Sequence, residues 1–181
     1  MVRPKEYFSS IPFNHMLVLN KHFNFKTTLK SNRKKFFKLK YGKRLFKTCI
    51  LSTQEVFYGM YDPHITLPFK KSFFDQLWNA EYELIDATCK NKFRSKHDVS
   101  IWLVRYWQLL TGNFEPRSNK FGGFYAINNF AAQKNINKKI IKRKVICVND
   151  TNDATLDFEK EYQMFENIMD NFLGEKSTFE K

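Results

Sequence analysis

Two short segments place side chains suited to phosphate chemistry at the start of predicted helices. Segment 62–68 (DPHITLP) puts His64 in a proline-fixed loop, where an imidazole can exchange a proton with a ligand and exposed helix amides favour anions. Segment 92–99 (KFRSKHDV) puts Arg94 immediately before a second helix, and a guanidinium is suited to bidentate contact with phosphate. A locally hydrogen-bonded turn histidine and a surface arginine are the structural alternatives.

A third segment, 146–150 (ICVND), ends a predicted strand with an amide and a carboxylate. In an α/β domain this position commonly binds a ligand or a hard cation through oxygen atoms. Asn149 and Asp150 are therefore weaker candidates for substrate binding, and Asp150 is a candidate metal ligand. Asn and Asp are also the standard residues of ordinary turns, which is the structural alternative.

Apolar periodicity predicts the helices that must position these side chains. The clearest prediction is a helix capped by Ser95 and Asp98, because these residues form a capping box before an apolar stripe from Val99 to Leu110. Another helix is predicted from a cap at Thr66 to Thr88, with a break near Asn79.

The remaining elements complete a helix-rich α/β fold in one partial domain over 1–181. Its expected parts are a basic helical arm (1–54), a His/Arg motif region (55–112), and a region of loop, Asn-Asp strand and acidic C-terminal helix (113–181). In the arm, helices are expected at Phe13–Phe23, Leu29–Phe37 and Arg44–Leu51, with aromatic residues packed and lysines outward. In the last region, extended chain is expected at Phe121–Ile127 and Lys144–Val148. A helix over 156–172 should turn its aromatic residues inward and its acids outward.

Charge is distributed unevenly along the chain. Of 31 Lys and Arg against 18 Asp and Glu, eleven cations and no acid lie between Tyr7 and Gln54. From Val148 to Lys181, nine acids face three lysines. The two ends could neutralise each other, the basic end could bind an anion, or the basic face could simply be solvated. A basic, non-catalytic protein that uses residues 21–47 on nucleic acid or an anionic surface is therefore the second functional hypothesis.

The cysteines and the remaining histidines show no disulfide or zinc-binding pattern. The three isolated cysteines are predicted to be buried thiols: Cys49, Cys89 and Cys147. The three isolated histidines have no partner at ligand spacing: His15, His22 and His97. The sequence also lacks a secretory signal and any stretch near the roughly 20 apolar residues of a membrane span, which predicts a cytoplasmic location.

In their order along the chain, the three segments resemble the Stealth family of capsular polysaccharide phosphotransferases, which is related to the animal GlcNAc-1-phosphotransferase alpha/beta subunit. The family pattern is His-x-Pro-x-Pro, a helix leading to Phe-Arg-Ser-x-x-Asp, an aromatic-rich helix and a later Asn-Asp loop. His64 and Arg94 stand 30 positions apart, as in that pattern, and Thr66 replaces its first proline. The likeness extends over nearly the whole chain.

The resemblance implies transfer of a sugar-1-phosphate from a UDP-sugar to a hydroxyl of a glycan or capsule polymer. It implies that His64 acts on the acceptor hydroxyl or the phosphate and that Arg94 stabilises charge on the transferring phosphate. Asn149 and Asp150 would contact the donor or a metal, Mg²⁺ or Mn²⁺. The implied fold is a nucleotide-sugar transferase-like domain at the inner face of the membrane, and no specific nucleic-acid partner is expected.

One family feature has no counterpart in this sequence, the acidic Asn-Asp-Asp segment that carries catalytic carboxylates. The N-terminal residues resemble the stretch that follows that segment, so we expect a C-terminal half. Such a chain would be a fragment, a truncated form, or a piece that acts with an N-terminal half on another chain. Without those carboxylates to position a metal-bound diphosphate, the isolated chain is expected to be inactive.

Overall fold

The computed structural model describes residues 4–61, 65–126, 142–149 and 157–173, together with residues 138, 140, 175 and 178–179. The chain divides into two compact units, of which the first comprises 1–61 and 67–118 and the second 62–66 and 119–181. The partial domain predicted over 1–181 therefore contains two units. The basic arm and most of the His/Arg motif region belong to the same one.

The first unit is helical throughout its regular structure. Its helices are α1 (Pro4–His22), α2 (Phe25–Ser31), α3 (Arg33–Phe36), α4 (Lys43–Leu51), α5 (Lys71–Ala80), α6 (Tyr82–Lys90) and α7 (Trp102–Leu110), with a 3-10 turn at Leu39–Tyr41. Asn24 caps α2, because its side-chain oxygen accepts a hydrogen bond from the Thr27 amide at 3.0 Å. Gly42 separates the 3-10 turn from α4 with a φ of 56°, which an L side chain adopts only with strain.

The core of the first unit lies where α1, α5 and α7 meet. The least exposed side chains of this core cluster come from these three helices: Leu19, Leu77, Leu103 and Tyr106. The stripe predicted on the helix after Ser95 is confirmed, since Leu103, Tyr106 and Leu110 are all buried. Because α7 is buried along most of its length, it is the central helix of the first unit, and the surrounding loops attach to it.

The α5–α6 pair confirms the predicted break but not the predicted start. The break falls at Glu81, between α5 and α6, where the carboxylate accepts hydrogen bonds from Lys21 at 2.8 Å and His22 at 2.5 Å. The helix begins at Lys71 rather than after a cap at Thr66. Lys70 is extended, with its amide donating to the Gln108 side chain, so the preceding residues run along α7 instead of forming a helical turn.

The second unit contains a parallel pair of strands and a long helix. Strands β1 (Gly122–Ala126) and β2 (Val145–Asn149) pair with Gly122 opposite Val145 and Ala126 opposite Asn149. Both predicted extended segments are confirmed. The helix, α8 (Phe158–Leu173), follows, and Ile168 on it belongs to a small core with Tyr125 and Ile140. The described fold is thus helix-rich with a parallel strand pair. Its likeness to a nucleotide-sugar transferase domain stays a prediction.

Three predictions about burial are wrong. On α8, Phe158 and Tyr162 are exposed whereas Glu161 and Ile168 are buried, so among the described side chains of the predicted aromatic stripe only the half-buried Phe165 packs against the core. On α4, Phe46 is 69% exposed rather than packed. Of the three cysteines predicted to be buried, Cys49 and Cys89 are exposed and Cys147 is half-buried, and all are free thiols.

A bilayer-spanning helix would have to be both long and strongly apolar, and none of the helices in the described part of the chain is both.

Candidate functional site

Arg94 lies in the loop that joins α6 to α7, residues 91–101, and its side chain is exposed. The predicted helix cap at Ser95 and Asp98 is wrong, because α7 begins only at Trp102 and has no side-chain cap. One hydrogen bond of a capping box is nevertheless present, and the other is shifted by one residue. The Ser95 amide donates to Asp98 Oδ2 at 2.6 Å, and the His97 amide donates to Ser95 Oγ at 3.2 Å. They close a tight turn in the loop rather than the first turn of a helix.

Asp98 is the centre of this turn and is only 5% exposed. Its Oδ1 accepts hydrogen bonds from Asn91 Nδ2 and from Ser95 Oγ, each at 2.7 Å. Burial alone would raise the pKa of Asp98, but the hydrogen bonds from Ser95 and Asn91 outweigh it, so the pKa lies below its usual value. The carboxylate therefore stays ionised at neutral pH. It links Asn91, which precedes Arg94, to Ser95, which follows it.

Two side chains of helix α1 also form hydrogen bonds with the backbone of the Arg94 loop. Asn14 Nδ2 donates to the backbone carbonyls of Lys96 at 3.0 Å and Asp98 at 2.8 Å. The Ser100 amide donates to His15 Nε2 at 3.0 Å. Burial lowers the pKa of His15 to about 4, so the ring is neutral and Nε2 remains an acceptor. The Val99 amide also donates to Thr88 Oγ1 of α6 at 3.3 Å, so the backbone around Arg94 is anchored on both α6 and α1.

The outer surface of the loop is cationic. Lys92, Arg94 and Lys96 are exposed, whereas Asp98, the one acid of residues 91–100, is buried. Phe93 is 80% exposed, with Lys92 Nζ 5.7 Å from its ring centroid. The loop therefore turns its negative charge inward and its positive charges outward, an arrangement suited to binding a phosphate group.

The segment that follows His64 is attached to α7 by a buried glutamine. Gln108 Oε1 accepts from the Lys70 amide at 3.1 Å, and Gln108 Nε2 donates to the Asn113 carbonyl at 3.2 Å. Lys70 Nζ adds a surface hydrogen bond to Asn113 Oδ1 at 2.7 Å. The end of the first motif is therefore fixed on the same helix that the Arg94 loop enters.

In the second unit, the residue after His64 lies at the start of the strand pair. The Ile65 side chain fills the space beside Gly122, where an added Cβ would come within 2.8 Å of it. Asn149 is exposed at the opposite end, as the last residue of β2. Four residue steps along a strand separate Gly122 from the Asn149 end, about 13 Å. Gly122 is thus required so that the chain carrying the first motif can approach the strand closely.

The four predicted site residues do not all fall among the described residues. His64 and Asp150 lie outside the described residues, and Arg94 and Asn149 belong to different compact units. The described residues contain no group of three or more His, Cys, Asp or Glu that could hold a metal ion. Among the predicted metal-binding residues that are described, Asn149 offers a single amide oxygen, whereas Mg²⁺ requires near-octahedral oxygen coordination. The described residues therefore do not by themselves fit Mg²⁺ or Mn²⁺.

Sequence reasoning missed the side chains that shape the loop and the segment before α5. Asn14 and His15 act on residues 82 to 85 positions away, and Gln108 acts on Lys70 across 38 positions. Their one sequence signal is a polar residue on an otherwise apolar helix face, as with His15 beside Met16 and Leu19. Such a polar residue indicates a buried hydrogen bond, but the sequence does not show which residue forms the other half of that bond.

Comparison with known proteins aligns nearly the whole chain with bacterial phosphotransferases. It is 39% identical over 171 residues to capsular polysaccharide phosphotransferase WcwK of Streptococcus pneumoniae, covering 94% of this chain and 51% of that protein. It is 32% identical over 187 residues to exopolysaccharide phosphotransferase cps2G of Lactiplantibacillus plantarum, covering 99% and 53%. For receptor polysaccharide phosphotransferase WefC of Streptococcus gordonii the identity is 32% over 170 residues, covering 92% and 50%.

These alignments leave part of each relative unmatched, since the chain spans about half the length of the curated relatives it matches. No family model and no solved structure gives a match. Identities of 32 to 39% over almost the entire chain confirm the resemblance carried by its motifs, and the chain belongs to the Stealth family of capsular polysaccharide phosphotransferases.

Proposed function

We propose that the chain supplies the Arg94 loop to an enzyme that transfers sugar-1-phosphate from a UDP-sugar to a glycan hydroxyl. The observation that carries this proposal is the charge arrangement of residues 91–100, with Asp98 buried and Arg94 exposed on a backbone anchored by α1 and α6. A guanidinium fixed in advance can stabilise charge on a transferring phosphate without reorganising during the reaction. The names of the relatives, phosphotransferases of capsular and exopolysaccharides, support a polysaccharide acceptor.

The other roles in the proposal rest on the family resemblance. His64 would take the proton of the acceptor hydroxyl or contact the phosphate, and Asn149 and Asp150 would bind the donor. We expect the isolated chain to be inactive, because its sequence has no counterpart of the family's acidic Asn-Asp-Asp segment, whose carboxylates would position a metal-bound diphosphate. A nucleotide-sugar donor would place the reaction in the cytoplasm.

Binding of the donor tests the role of Arg94. We expect UDP-glucose, as a probe of the nucleotide diphosphate, to bind the chain either alone or together with the half of a relative that it does not match. Arg94→Gln should weaken this binding about 10-fold to 100-fold, the loss expected for a charge-assisted bidentate contact. Isothermal titration calorimetry measures the change.

Arg33→Gln is the matched control. Arg33 is also exposed, on α3, and the substitution removes the same charge. Equal losses for the two variants would mean that net charge alone attracts the nucleotide. No binding of UDP-glucose in either setting would refute the proposed donor.

A second candidate is supported by the exposure of the basic arm, because Lys26, Lys30, Arg33, Lys34 and Lys38 all reach solvent. These cations could bind nucleic acid without catalysis. In that case the chain should bind RNA or DNA tightly, with affinity falling steeply as salt rises. Arg33→Gln should then reduce binding, whereas Arg94→Gln should not. Fluorescence anisotropy with a labelled oligonucleotide over a salt series separates the two candidates.

A further inference from the structure

Helix α4 presents an apolar stripe to solvent beside a basic stripe. Phe46 and Ile50, one helical turn apart, are 69% and 58% exposed. Lys43 and Lys47, also one turn apart, are exposed on the same outer surface. Since residues three and four apart are neighbours on a helix, each lysine lies directly beside an apolar side chain. We call these four residues the α4 face.

The opposite side of α4 attaches the helix to the protein. Arg44 lies over the Tyr61 ring, and Leu45 and Thr48 are half-buried. No residue of the helix is fully buried. The preceding 3-10 turn adds Leu39, which is 90% exposed, next to the exposed Lys38. The α4 face therefore points away from the described core, and one further apolar side chain precedes it.

The cations near this face have no acidic neighbours in sequence, since no Asp or Glu lies between Tyr7 and Gln54. Among the described residues, Lys38, Lys43 and Lys47 form no ion pair. Their charge is therefore not neutralised within the described structure. A partner that complements this surface must be anionic and must also accept aliphatic and phenyl side chains.

We propose that the α4 face docks on the surface of a bilayer that contains anionic phospholipids. Phe46, Ile50 and Leu39 would enter the boundary between headgroups and acyl chains, while the lysines pair with lipid phosphates. The helix is about 14 Å long and would lie in the plane of the interface. Nucleic acid fits the face less well, because the aliphatic Leu39 and Ile50 have no ring to stack on bases.

Vesicle co-sedimentation of the full chain tests this proposal. The chain should bind vesicles of phosphatidylcholine mixed with phosphatidylglycerol, bind pure phosphatidylcholine weakly, and dissociate as salt rises. Lys43→Gln should weaken binding about five-fold, the loss expected for one cation near an anionic leaflet. Phe46→Ser with Ile50→Ser should weaken it by at least about ten-fold, since two large apolar side chains then remain in water.

The chain contains a matched apolar control on α1. Phe13 and Leu17 are also one turn apart and similarly exposed, at 62% and 56%, but the neighbouring Lys21 is paired with Glu81. Phe13→Ser with Leu17→Ser should leave vesicle binding unchanged. Circular dichroism of both double variants should match the parent, because all four residues are at the surface.

Several outcomes would overturn the proposal. One is absence of binding to the anionic vesicles, and another is equal binding with and without phosphatidylglycerol. A third is equal loss in the α1 and α4 double variants. If an oligonucleotide binds more tightly than the vesicles do and loses affinity equally in the α4 variants, the face serves nucleic acid instead. None of these measurements involves Arg94, so the result is independent of the proposed reaction.

Discussion

The side chain of Asp98 determines the conformation of the loop that displays Arg94. It accepts hydrogen bonds from the Ser95 amide, the Ser95 hydroxyl and the Asn91 amide group, and it is buried while doing so. A buried carboxylate with donors on all sides is more favourable than a neutral acceptor in the same place, since charge-assisted hydrogen bonds are roughly twice as strong. Asp98 is thus a positioning residue for the arginine.

Asp98→Asn should therefore destabilise the chain and loosen the loop. The introduced amide would place its own NH₂ against the donors of Ser95 or Asn91, at an expected cost of about 1–3 kcal/mol in the free energy of unfolding. Donor binding should weaken as well, because the loop backbone that carries Arg94 would no longer be held in one conformation. Urea denaturation followed by circular dichroism measures the first effect, and calorimetry the second.

Asp86→Asn is the control at the residue scale. Asp86 pairs with Lys90 on the surface of α6 at 2.6 Å. Surface i,i+4 pairs contribute about 0.3–0.5 kcal/mol, so this variant should be nearly neutral and should bind the donor normally. Equal stability losses in the two aspartate variants would show that the buried network around Asp98 has no special role.

At the scale of elements, α7 organises the first unit. Its amino end receives the Arg94 loop, and its buried Gln108 holds the Lys70 amide and the Asn113 carbonyl. Both attachments are polar contacts in a helix whose other inward residues are apolar. Their loss would leave buried donors and acceptors without partners, which costs more than the net gain of an average hydrogen bond.

Gln108→Leu tests this arrangement. We expect a loss of about 1–3 kcal/mol in the free energy of unfolding and faster hydrogen exchange at the Lys70 amide, because that N–H loses its acceptor. Two-dimensional NMR of the exchanging amides gives the second readout. As a control, Lys70→Gln removes the exposed hydrogen bond to Asn113 but keeps the backbone contact, so protection of the residue 70 amide should persist. If its amide exchanges as fast as in Gln108→Leu, the glutamine is not the anchor.

For the whole molecule, His15 couples stability to pH. Its pKa is about 4 in the folded state against 6.5 ordinarily, and its side chain is 2% exposed. At pH values between these two pKa values, His15 is protonated in the unfolded chain and neutral in the folded chain. The contribution of neutral His15 to the free energy of unfolding is therefore complete above pH 6.5 and is lost as the pH falls towards 4.

We predict that lowering the pH from about 7 to about 5 reduces the free energy of unfolding by about 2 kcal/mol through His15. In His15→Gln, the amide oxygen can still accept from Ser100 but does not titrate, so the pH dependence over that interval should shrink by that amount. Urea denaturation at the two pH values measures both chains. The low pKa of Asp98 acts in the same direction but only below its ordinary value of 3.8, outside this window. An unchanged pH dependence in the variant would exclude His15 as the cause.

The sequence predicts those parts of the molecule in which local pattern and burial agree. The α7 stripe, the break at Glu81 and the two strands follow from periodicity and turn residues. The inward face of α8 does not, because two exposed aromatics, Phe158 and Tyr162, stack on each other at 5.9 Å between ring centroids instead of entering the core. At Ser95 the expected hydrogen bond from its amide to Asp98 is present, but the chain continues for several residues before the helix begins at Trp102.

The candidate site, too, can be predicted from the sequence only where local pattern is sufficient. Arg94 stands out by residue type and position, and the family resemblance gives it a role. The contacts by which Asn14 and His15 hold its loop join residues more than 80 positions apart, and no local pattern specifies such a pairing. The prediction that Phe46 is packed fails for a different reason. A large aromatic residue in a helix is usually buried, but Phe46 lies on α4, a helix with no fully buried residue.

The attachment of the two motif segments to helices constrains how relatives of this chain can differ in length. The Arg94 loop and the residues after His64 are bound to helices rather than to each other, so an insertion at Glu81 between α5 and α6 would leave both attachments intact. One residue inserted within α7 would rotate its later part by about 100° and move Gln108 away from Lys70. Insertions and deletions in evolution should therefore collect at the helix junctions and avoid α7, so the length of that helix is a better guide for aligning distant relatives than the spacing of the motifs.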